Sequence, residues 1–446
     1  VVCACLALNA GAVDDRTLPD DQTLPDDQTL PDPLSLQDAL QLIDEDHPVL
    51  LKARLEGQYA ETDLLTANAK NSVRVDLDGR FRWTESNVNL PVTADSKDHQ
   101  LSLIVSKPIY DGGLTEASRQ AAESSGISAD IDYAYIKNRY SITVMQRFFD
   151  VILADLETSK NTEDMATAFV RMDRGEDNQE LGRISDVRLL ELQSEYQQSR
   201  VRVYDSEGKA RRTRQQLALA LNRPGQQPSQ ITAPLLNVNG RQLLEYDELL
   251  NKVLSGNPRL IALNHNVDAA RSRVVAARSG SKPRVTALLE RAEQSRVTST
   301  DDKWRVGVEW SMPIYDGGLS DAAVRRANLD LNQQIYERRE YELELRTQVR
   351  QLAEQFRVLD ATNDSNRAFT DYRELYMDRS RALYELEVKT DLGDAMIEIS
   401  ESHLRNARQQ FEMALVLAQL NLLAGESVTR WDALSIEKPK TEGSGS

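Results

Sequence analysis

Four short stretches of the chain alternate apolar and polar residues with a period of two. Val73, Val75, Leu77, Phe81 and Trp83 interleave with Arg74, Asp76, Asp78, Arg80, Arg82 and Thr84. Leu101, Leu103 and Val105 interleave with Gln100, Ser102 and Ser106. Further on, Val285, Ala287 and Leu289 interleave with Arg284, Thr286 and Glu290. Last, Trp304, Val306, Val308, Trp310 and Met312 interleave with Arg305, Gly307, Glu309 and Ser311. Such a period predicts strands with one apolar face, at 73–85, 99–108, 283–291 and 304–313. The segments 86–98 and 292–303 between partners are polar and long for hairpins. Two amphipathic hairpins packed on a soluble core would satisfy the alternation alone. The charges on the polar faces, and lengths close to the roughly 9–11 residues of a tilted transmembrane strand, favour a membrane β-barrel. Trp83, Trp304 and Trp310, with Tyr110 and Tyr315, stand where an aromatic girdle is expected. Four strands cannot close a barrel of useful bore, and an open edge cannot sit in lipid. Several chains must therefore share one barrel, and three chains would supply twelve strands.

Elsewhere the period is helical. The spans 114–222 and 319–425 contain few turn residues, and each divides near a softer patch, at 172–185 and 384–393. They predict two antiparallel helix pairs, 114–221 and 319–424, in a mostly α protein. The first member of each pair would reach roughly 80–100 Å at about 1.5 Å per residue. Leu189, Tyr196, Val203, Ala210 and Leu217 recur every seventh position, and so do Ile397, Leu404, Phe411 and Ala418. A neighbouring seam holds Leu192, Ser199, Ser206 and Thr213 in the first pair and Ser400, Ala407, Ala414 and Asn421 in the second. A seven-residue repeat specifies coiled-coil packing, and seams of small residues allow close approach. An ordinary coiled coil or bundle would show the same seams; the strands separate the two readings.

The chain also repeats itself. Residues 106–114 read SKPIYDGGL and residues 311–319 read SMPIYDGGL, 205 positions apart with eight of nine residues identical. His47-Pro48 matches Asn257-Pro258, 210 positions apart, and Ala60 and Ala67 match Ala270 and Ala277. We divide the chain into an internal two-fold repeat, 34–221 and 243–424, joined by an equatorial linker at 222–242. Each repeat opens with a helix of about 35 residues that the proline ends or kinks early. In the first, Ser35 and Asp38 are placed as N-cap and N3. The doubled phrase reads as a joint between barrel and helices. Pro108 and Pro313 lack an N–H and end strand pairing. Tyr110 and Tyr315 mark the membrane–water boundary, and Asp111 and Asp316 cap the new helix. Gly112, Gly113, Gly317 and Gly318 permit the sharp redirection.

Composition narrows the function. The formal net charge is −17, from 71 acids and 54 bases, which excludes the basic footprint of a nucleic-acid binder. No apolar run reaches the roughly 18–20 residues of a membrane helix, which says nothing against a barrel. Cys3 and Cys5 are the only cysteines, so there is no disulfide framework. Residues 1–12 read as a signal-peptide remnant ending in Ala10-Gly11-Ala12. The neighbourhood of Cys3 and Cys5 resembles a lipobox only loosely, since apolar Leu6-Ala7-Leu8 suits a secretory h-region better. Residues 13–33 form an acidic, proline-containing N-terminal arm, and 425–446 a C-terminal tail.

The doubled P-I-Y-D-G-G, the opening "LSLQDAL…HPVL" and the duplication over about 34–424 resemble the TolC family of bacterial outer-membrane efflux and secretion channels. The resemblance implies a homotrimer with a shared twelve-stranded barrel in outer-membrane lipid and a long α-helical tunnel in the periplasm. It implies docking to a periplasmic adaptor (membrane fusion) protein and an inner-membrane pump of the RND or ABC type, in drug efflux or type I secretion. The family closes its periplasmic tip with an aspartate ring near the helix-pair turns. Asp394 in "DAMIE" takes the first aspartate's place, Ile397 replaces the second, and Glu398 is adjacent. Ser185-Asp186-Val187 resembles the family's T-D-V, which helps hold the gate shut. The gate arginine falls on Thr390, beside Lys389, and the preceding glycine on Val388. A ring of three Asp394 carboxylates repels itself unless hydrated, protonated or countered by cations. Asp186 and Asp394 also stand where helix N-caps are expected.

Catalytic chemistry is not expected. His47, His99, His265 and His403 have no paired ligand spacing, so no metal and no cofactor is predicted. "DLDG" at 76–79 lacks the later ligands of a calcium loop, and "SGSK" at 279–282 lacks phosphate-loop spacing. The competing class is a periplasmic coiled-coil scaffold or adaptor with a small β domain.

Overall fold

The computed structural model describes residues 30–83, 97–294, 303–386, 392–430 and 435–437. The signal-type segment 1–12, most of the arm 13–33, the gate positions Val388, Lys389 and Thr390, and most of the tail lie outside the described residues.

Two short helices open the chain, α1 (Leu36–Gln41) and α2 (Pro48–Lys70). Ser35 and Asp38 form a capping box at the start of α1, satisfying two orphan N–H groups reciprocally. Pro48 occupies the first position of α2, where its missing N–H costs nothing. The strands β1 (Arg74–Trp83) and β2 (Lys97–Tyr110) follow, then the long helices α3 (Leu114–Glu180) and α4 (Asp186–Ala220). After the short β3 (Arg241–Leu243) the order recurs: α5 (Tyr246–Gly256), α6 (Pro258–Arg278), β4 (Arg284–Gln294), β5 (Trp304–Ser311), α7 (Leu319–Glu385) and α8 (Leu392–Ala424). A final strand, β6 (Ser435–Glu437), pairs with β3. Sequence periodicity missed this pair, because three residues carry no measurable alternation.

The four main strands form one antiparallel sheet in the order β1-β2-β4-β5. Two strand limits differ from expectation. Pro108 does not end pairing: it lies opposite Thr286, and β2 continues through a bulge to Tyr110. The bulge absorbs the missing donor, so the ladder resumes one residue later. In the second half β5 stops at Ser311, before Pro313. β4 also extends to Gln294, past its expected end at 291.

α3 and α7 each have 67 residues, about 100 Å of helix. α3 packs against α2, α4, α6 and α8, and α7 against α6 and α8. The heptad seam of α4 is buried where it narrows: Val203, Ala210 and Leu217 are inside, as are Leu192, Ser199, Ser206 and Thr213. The Ser199, Ser206 and Thr213 hydroxyls donate to carbonyls of their own helix, at Tyr196, Val203 and Ala210. Their polar atoms are therefore satisfied without a neighbour, and the helices approach closely at no desolvation penalty. The largest side chains gather at mid-length. Met145, Phe148 and Phe149 of α3 meet Leu345 and Val349 of α7 and Leu417 and Leu420 of α8 in one core. Phe149 stacks on Phe411 with ring centroids 4.3 Å apart.

The ends of α4 and α8 return to this waist, where their last carbonyls need donors. In the second half, Asn257 caps α6 by accepting from the Leu260 N–H (2.8 Å), and its amide donates to the Leu423 carbonyl (2.8 Å). In the first half, His47 Nδ1 accepts from the Val49 N–H (3.3 Å), and Nε2 meets the Tyr140 hydroxyl (2.9 Å). Tyr140 in turn donates to the Ala220 carbonyl (2.8 Å). With that hydroxyl proton committed, Nε2 must be the protonated nitrogen and Nδ1 the acceptor, which is the neutral imidazole. Burial lowers the His47 pKa from 6.5, against the opposing field of Asp44. Beside Asn257, Gly256 has no room for a Cβ, which would collide with the Ala424 carbonyl.

Two outcomes are expected. Because the folded state resists protonating His47, stability should be full above about pH 6.5 and fall as acid passes below it. The melting temperature should decline from pH 7 to pH 5, and His47→Asn, which keeps a capping acceptor without a titrating ring, should flatten that decline. Gly256→Ala should lower stability by about 1–3 kcal/mol through overpacking, read as a lower melting temperature at pH 7.

Candidate functional site: sheet, joint and tip

Residues opposite each other across a sheet share a face. The register therefore assigns Val75, Leu77, Leu103, Val105, Leu289, Val306 and Val308 to one side, and Asp76, Arg80, Ser102, Thr286, Glu290 and Glu309 to the other. The polar side is the more enclosed: Ser102 and Ala292 are buried and Glu290 is half-buried. Leu77, Phe81, Leu103, Val306 and Val308 of the apolar side are exposed. The sheet thus curls with its polar face inward, the reverse of a soluble β domain. Trp83 is 74% exposed, Trp304 60% and Trp310 65%, all on the apolar side. Trp304 and Trp310 lie six residues apart on β5, roughly 20 Å along the strand, close to the height of a lipid-facing band. At the distal end Trp83 meets His99 edge-on, and the Arg291 guanidinium lies 5.2 Å from the Trp304 ring. On the inner side Arg305 pairs with Glu290 across β4 and β5 (3.5 Å) and Arg74 with Asp76 (2.8 Å).

Each hairpin passes into its long helix through the same turn. Gly112 and Gly317 have φ of 71° and 69°, and Gly113 and Gly318 both have 88°. These are left-handed values that a Cβ disfavours. Asp111 accepts from the Gly113 N–H (3.0 Å) and the Thr115 N–H (2.7 Å); Asp316 accepts from those of Gly318 (3.0 Å) and Ser320 (2.8 Å). The aspartates therefore cap from two positions ahead of the formal N-caps, Gly113 and Gly318. The Lys282 ammonium donates to the Gly112 carbonyl (2.9 Å), tying the foot of β4 to the first joint. Tyr110 is half exposed, and Tyr315 almost fully.

At the far end, α3 turns into α4 through 181–185. Ser185, not Asp186, is the N-cap of α4, its hydroxyl accepting from the Arg188 N–H (3.3 Å). Asp186 takes the first helical position and accepts from the Gln179 amide (2.9 Å). Asp394 is likewise not a cap but lies in the first turn of α8. Its carboxylate pairs with Arg171 of α3 (2.5 Å), and Glu398 pairs with Arg373 of α7 (3.0 Å). Lys160 of α3 holds Glu401 (2.6 Å) and keeps its carboxyl below the ordinary range. Gly393 lets α8 press against Thr167 of α3, where a Cβ would come within 2.8 Å. Arg171 and Arg373 were not foreseen from sequence. Each partner lies far along the chain, and only the helix pairing brings them together. Among the described residues no group of three or more His, Cys, Asp or Glu is placed to hold a metal.

Residues 249–426 match the family described as outer membrane efflux protein. No curated protein matches the chain. The fold is similar to the Campylobacter jejuni CmeC outer membrane channel, with a TM-score of 0.72 and 12% identity over 87% of this chain and 85% of that one. It is also similar to the outer membrane protein VceC of Vibrio cholerae (0.67, 14%, 88% and 96%) and to the open state of the Neisseria gonorrhoeae MtrE outer membrane channel (0.66, 15%, 89% and 90%). Residues 249–426 thus carry the sequence pattern of outer membrane efflux proteins, and the chain as a whole has the fold of these outer-membrane channels.

Proposed function

We propose that the protein is the passive exit duct of a tripartite efflux pump or type I secretion system, a homotrimer in the bacterial outer membrane. The observation that carries this reading is the sheet. Its convex face is apolar and exposed, and its outer strands β1 and β5 each leave one edge unpaired. In lipid those edges must be satisfied by protein, and three copies closing twelve strands do so while enclosing a polar lumen. Trp83, Trp304 and Trp310 then form the interfacial girdles. The doubled joint at 108–113 and 313–318 carries six barrel-to-tunnel transitions around the trimer. A soluble scaffold would leave the same apolar face in water, whereas contiguous exposed apolar patches mark membrane or protein contact sites.

The tunnel descends into the periplasm and narrows where the three copies of α8 begin. There Asp394 and Glu398 form the gate, with Ser185 and Asp186 at the turn between α3 and α4. Arg171 latches each Asp394 to its own α3, which lowers the repulsion within the ring. A half-exposed pair is worth about 0.5 kcal/mol. Three such latches bias the tip toward closure by roughly ten-fold, an equilibrium that docking of an adaptor and an RND- or ABC-type pump can overturn. Cargo choice lies with the pump, and the duct needs no cofactor, metal or catalytic group.

Planar-bilayer recording of the purified trimer tests the gate. Asp394→Ala should raise single-channel conductance and weaken block by divalent cations. Arg171→Ala should also raise conductance but strengthen that block, because it leaves the carboxylates unpaired. Unchanged conductance and block in both variants would remove this pair from the gate, and a wild-type protein that forms no channel and stays soluble without detergent would sink the duct itself.

A further inference from the structure

The two hairpins pair in the same register. Moving a β1 residue 210 positions on and its β2 partner 205 positions on, the spacings of the duplicated Pro48/Pro258 and Ser106/Ser311, carries one hairpin onto the other. Arg74 opposite Ser106 becomes Arg284 opposite Ser311. Val75 opposite Val105 becomes Val285 opposite Trp310, and Asp76 opposite Ile104 becomes Thr286 opposite Glu309. The seam between hairpins, β2 with β4, is then the within-chain image of the seam that β5 would make with β1 of the next copy.

From this relation we infer the register of the intersubunit barrel seam. This rests on the shared-barrel reading and adds the residues that meet. Ile104 lies opposite Glu290, so Glu309 faces Arg80 of the partner subunit. Val105 lies opposite Leu289, so Trp310 faces Gly79 of the partner subunit; Leu103 lies opposite Arg291, so Val308 faces Phe81 of the partner subunit.

Three independent features of the chain fit this pairing. First, the parity is right: apolar positions meet apolar positions and polar meet polar, whereas a one-residue slip would turn one strand's faces around. Second, the charges complement each other. Arg80 and Glu309 are exposed on the inner face, and neither has an ion-pair partner among the described residues. Their neighbours Arg74 and Arg305 already have Asp76 and Glu290. At the image seam inside the chain, one of the two positions is the uncharged Ile104, so the cation–anion pair belongs to the seam between copies. Third, the shapes complement each other. Gly79 has no side chain of its own on the lipid face of β1, where the Phe81 ring leans over it, 3.3 Å from where a Cβ would stand, and Trp310 would pack beside that ring from across the seam. The partner is therefore a second copy of this chain, held at the seam by a lumen-facing Glu309–Arg80 pair and a lipid-facing Trp310–Gly79 contact.

Cysteine cross-linking of the full-length protein in native outer membranes reads the register. Glu309→Cys with Arg80→Cys should give covalent dimers and trimers under mild oxidation. Glu309→Cys with Asp78→Cys or with Arg82→Cys, each displaced by two residues, should give at least five-fold less, and each single variant should give none. Charge reversal supplies a second readout: Glu309→Arg should lower the temperature at which the trimer dissociates in detergent, and adding Arg80→Glu should restore it. Dominant cross-linking at a displaced pair, or none at any pair while the protein still runs as a trimer, would overturn the register and leave the shared barrel standing. A wild-type protein with no trimer in outer membranes would overturn the barrel reading and the seam with it.

Discussion

A strand edge in hydrocarbon has no water to bond. Each unpaired N–H or C=O there costs several kcal/mol. The sheet of this chain has two open edges, on β1 and β5, and an exposed apolar convex face that the proposed function places in lipid. Under the proposed function, oligomerisation is therefore a requirement of the fold rather than an addition to it. The same requirement fixes the layout below. Every second strand runs directly into a long helix, through turns whose glycines share φ values within a few degrees. In the proposed trimer a closed ring of strands would consequently deliver a closed ring of helices. α3 and α7 have the same length and start from equivalent turns, so they reach the same depth. A tunnel with an even rim follows from repeating one hairpin, one turn and one helix length.

Stability is distributed unevenly along that tunnel. The waist holds Phe148, Phe149, Met145, Leu345 and Leu417, fully or almost fully buried, where each aromatic or aliphatic side chain contributes about 1.5–3 kcal/mol by burial. The lower third of α8 depends instead on ion pairs with partly exposed side chains, Arg171–Asp394, Arg373–Glu398 and Lys160–Glu401. Such pairs are individually weak and screened by salt. Motion should concentrate where apolar burial is thin. A rigid middle and a loosely held tip are what a conduit needs when it is opened at one end by an external partner without dismantling its wall.

Much of this was legible in the sequence because membrane strands and coiled coils both write themselves as periods. Alternation located all four sheet strands, and the heptads located the buried seam of α4. The limits of reading lay where the period stops carrying information. Pro108 breaks the donor pattern but not the strand, because a bulge absorbs it, and no composition rule announces a bulge. The β3–β6 pair joins segments almost two hundred residues apart and is too short to alternate. Arg171 is one arginine among many on helices rich in charge. Only the packing of α8 against α3, aided by Gly393 opposite Thr167, singles it out as the partner of Asp394. Resemblance singles out Asp394 as an expected gate residue, whereas its ion-pair partner required the structure.

The two halves of the chain have diverged selectively, and the physical environment explains where. The joint retains eight of nine residues, and the hairpin registers superimpose under the repeat. At the waist the halves solve one problem with different chemistry. Asn257 caps α6 and reaches the Leu423 carbonyl alone, whereas His47 caps α2 and needs the Tyr140 hydroxyl to reach Ala220. Both arrangements satisfy the same orphan carbonyl within the protein, so at the waist one set of side chains can stand in for another. Lipid offers no such stand-in. A strand that slips by one residue presents charge to hydrocarbon along its whole length, and a joint that turns at a different angle misdirects about 100 Å of helix. Drift between the two halves is therefore tolerated at the waist, where a different side chain can supply the same hydrogen bond, and closed at the strands and the joint.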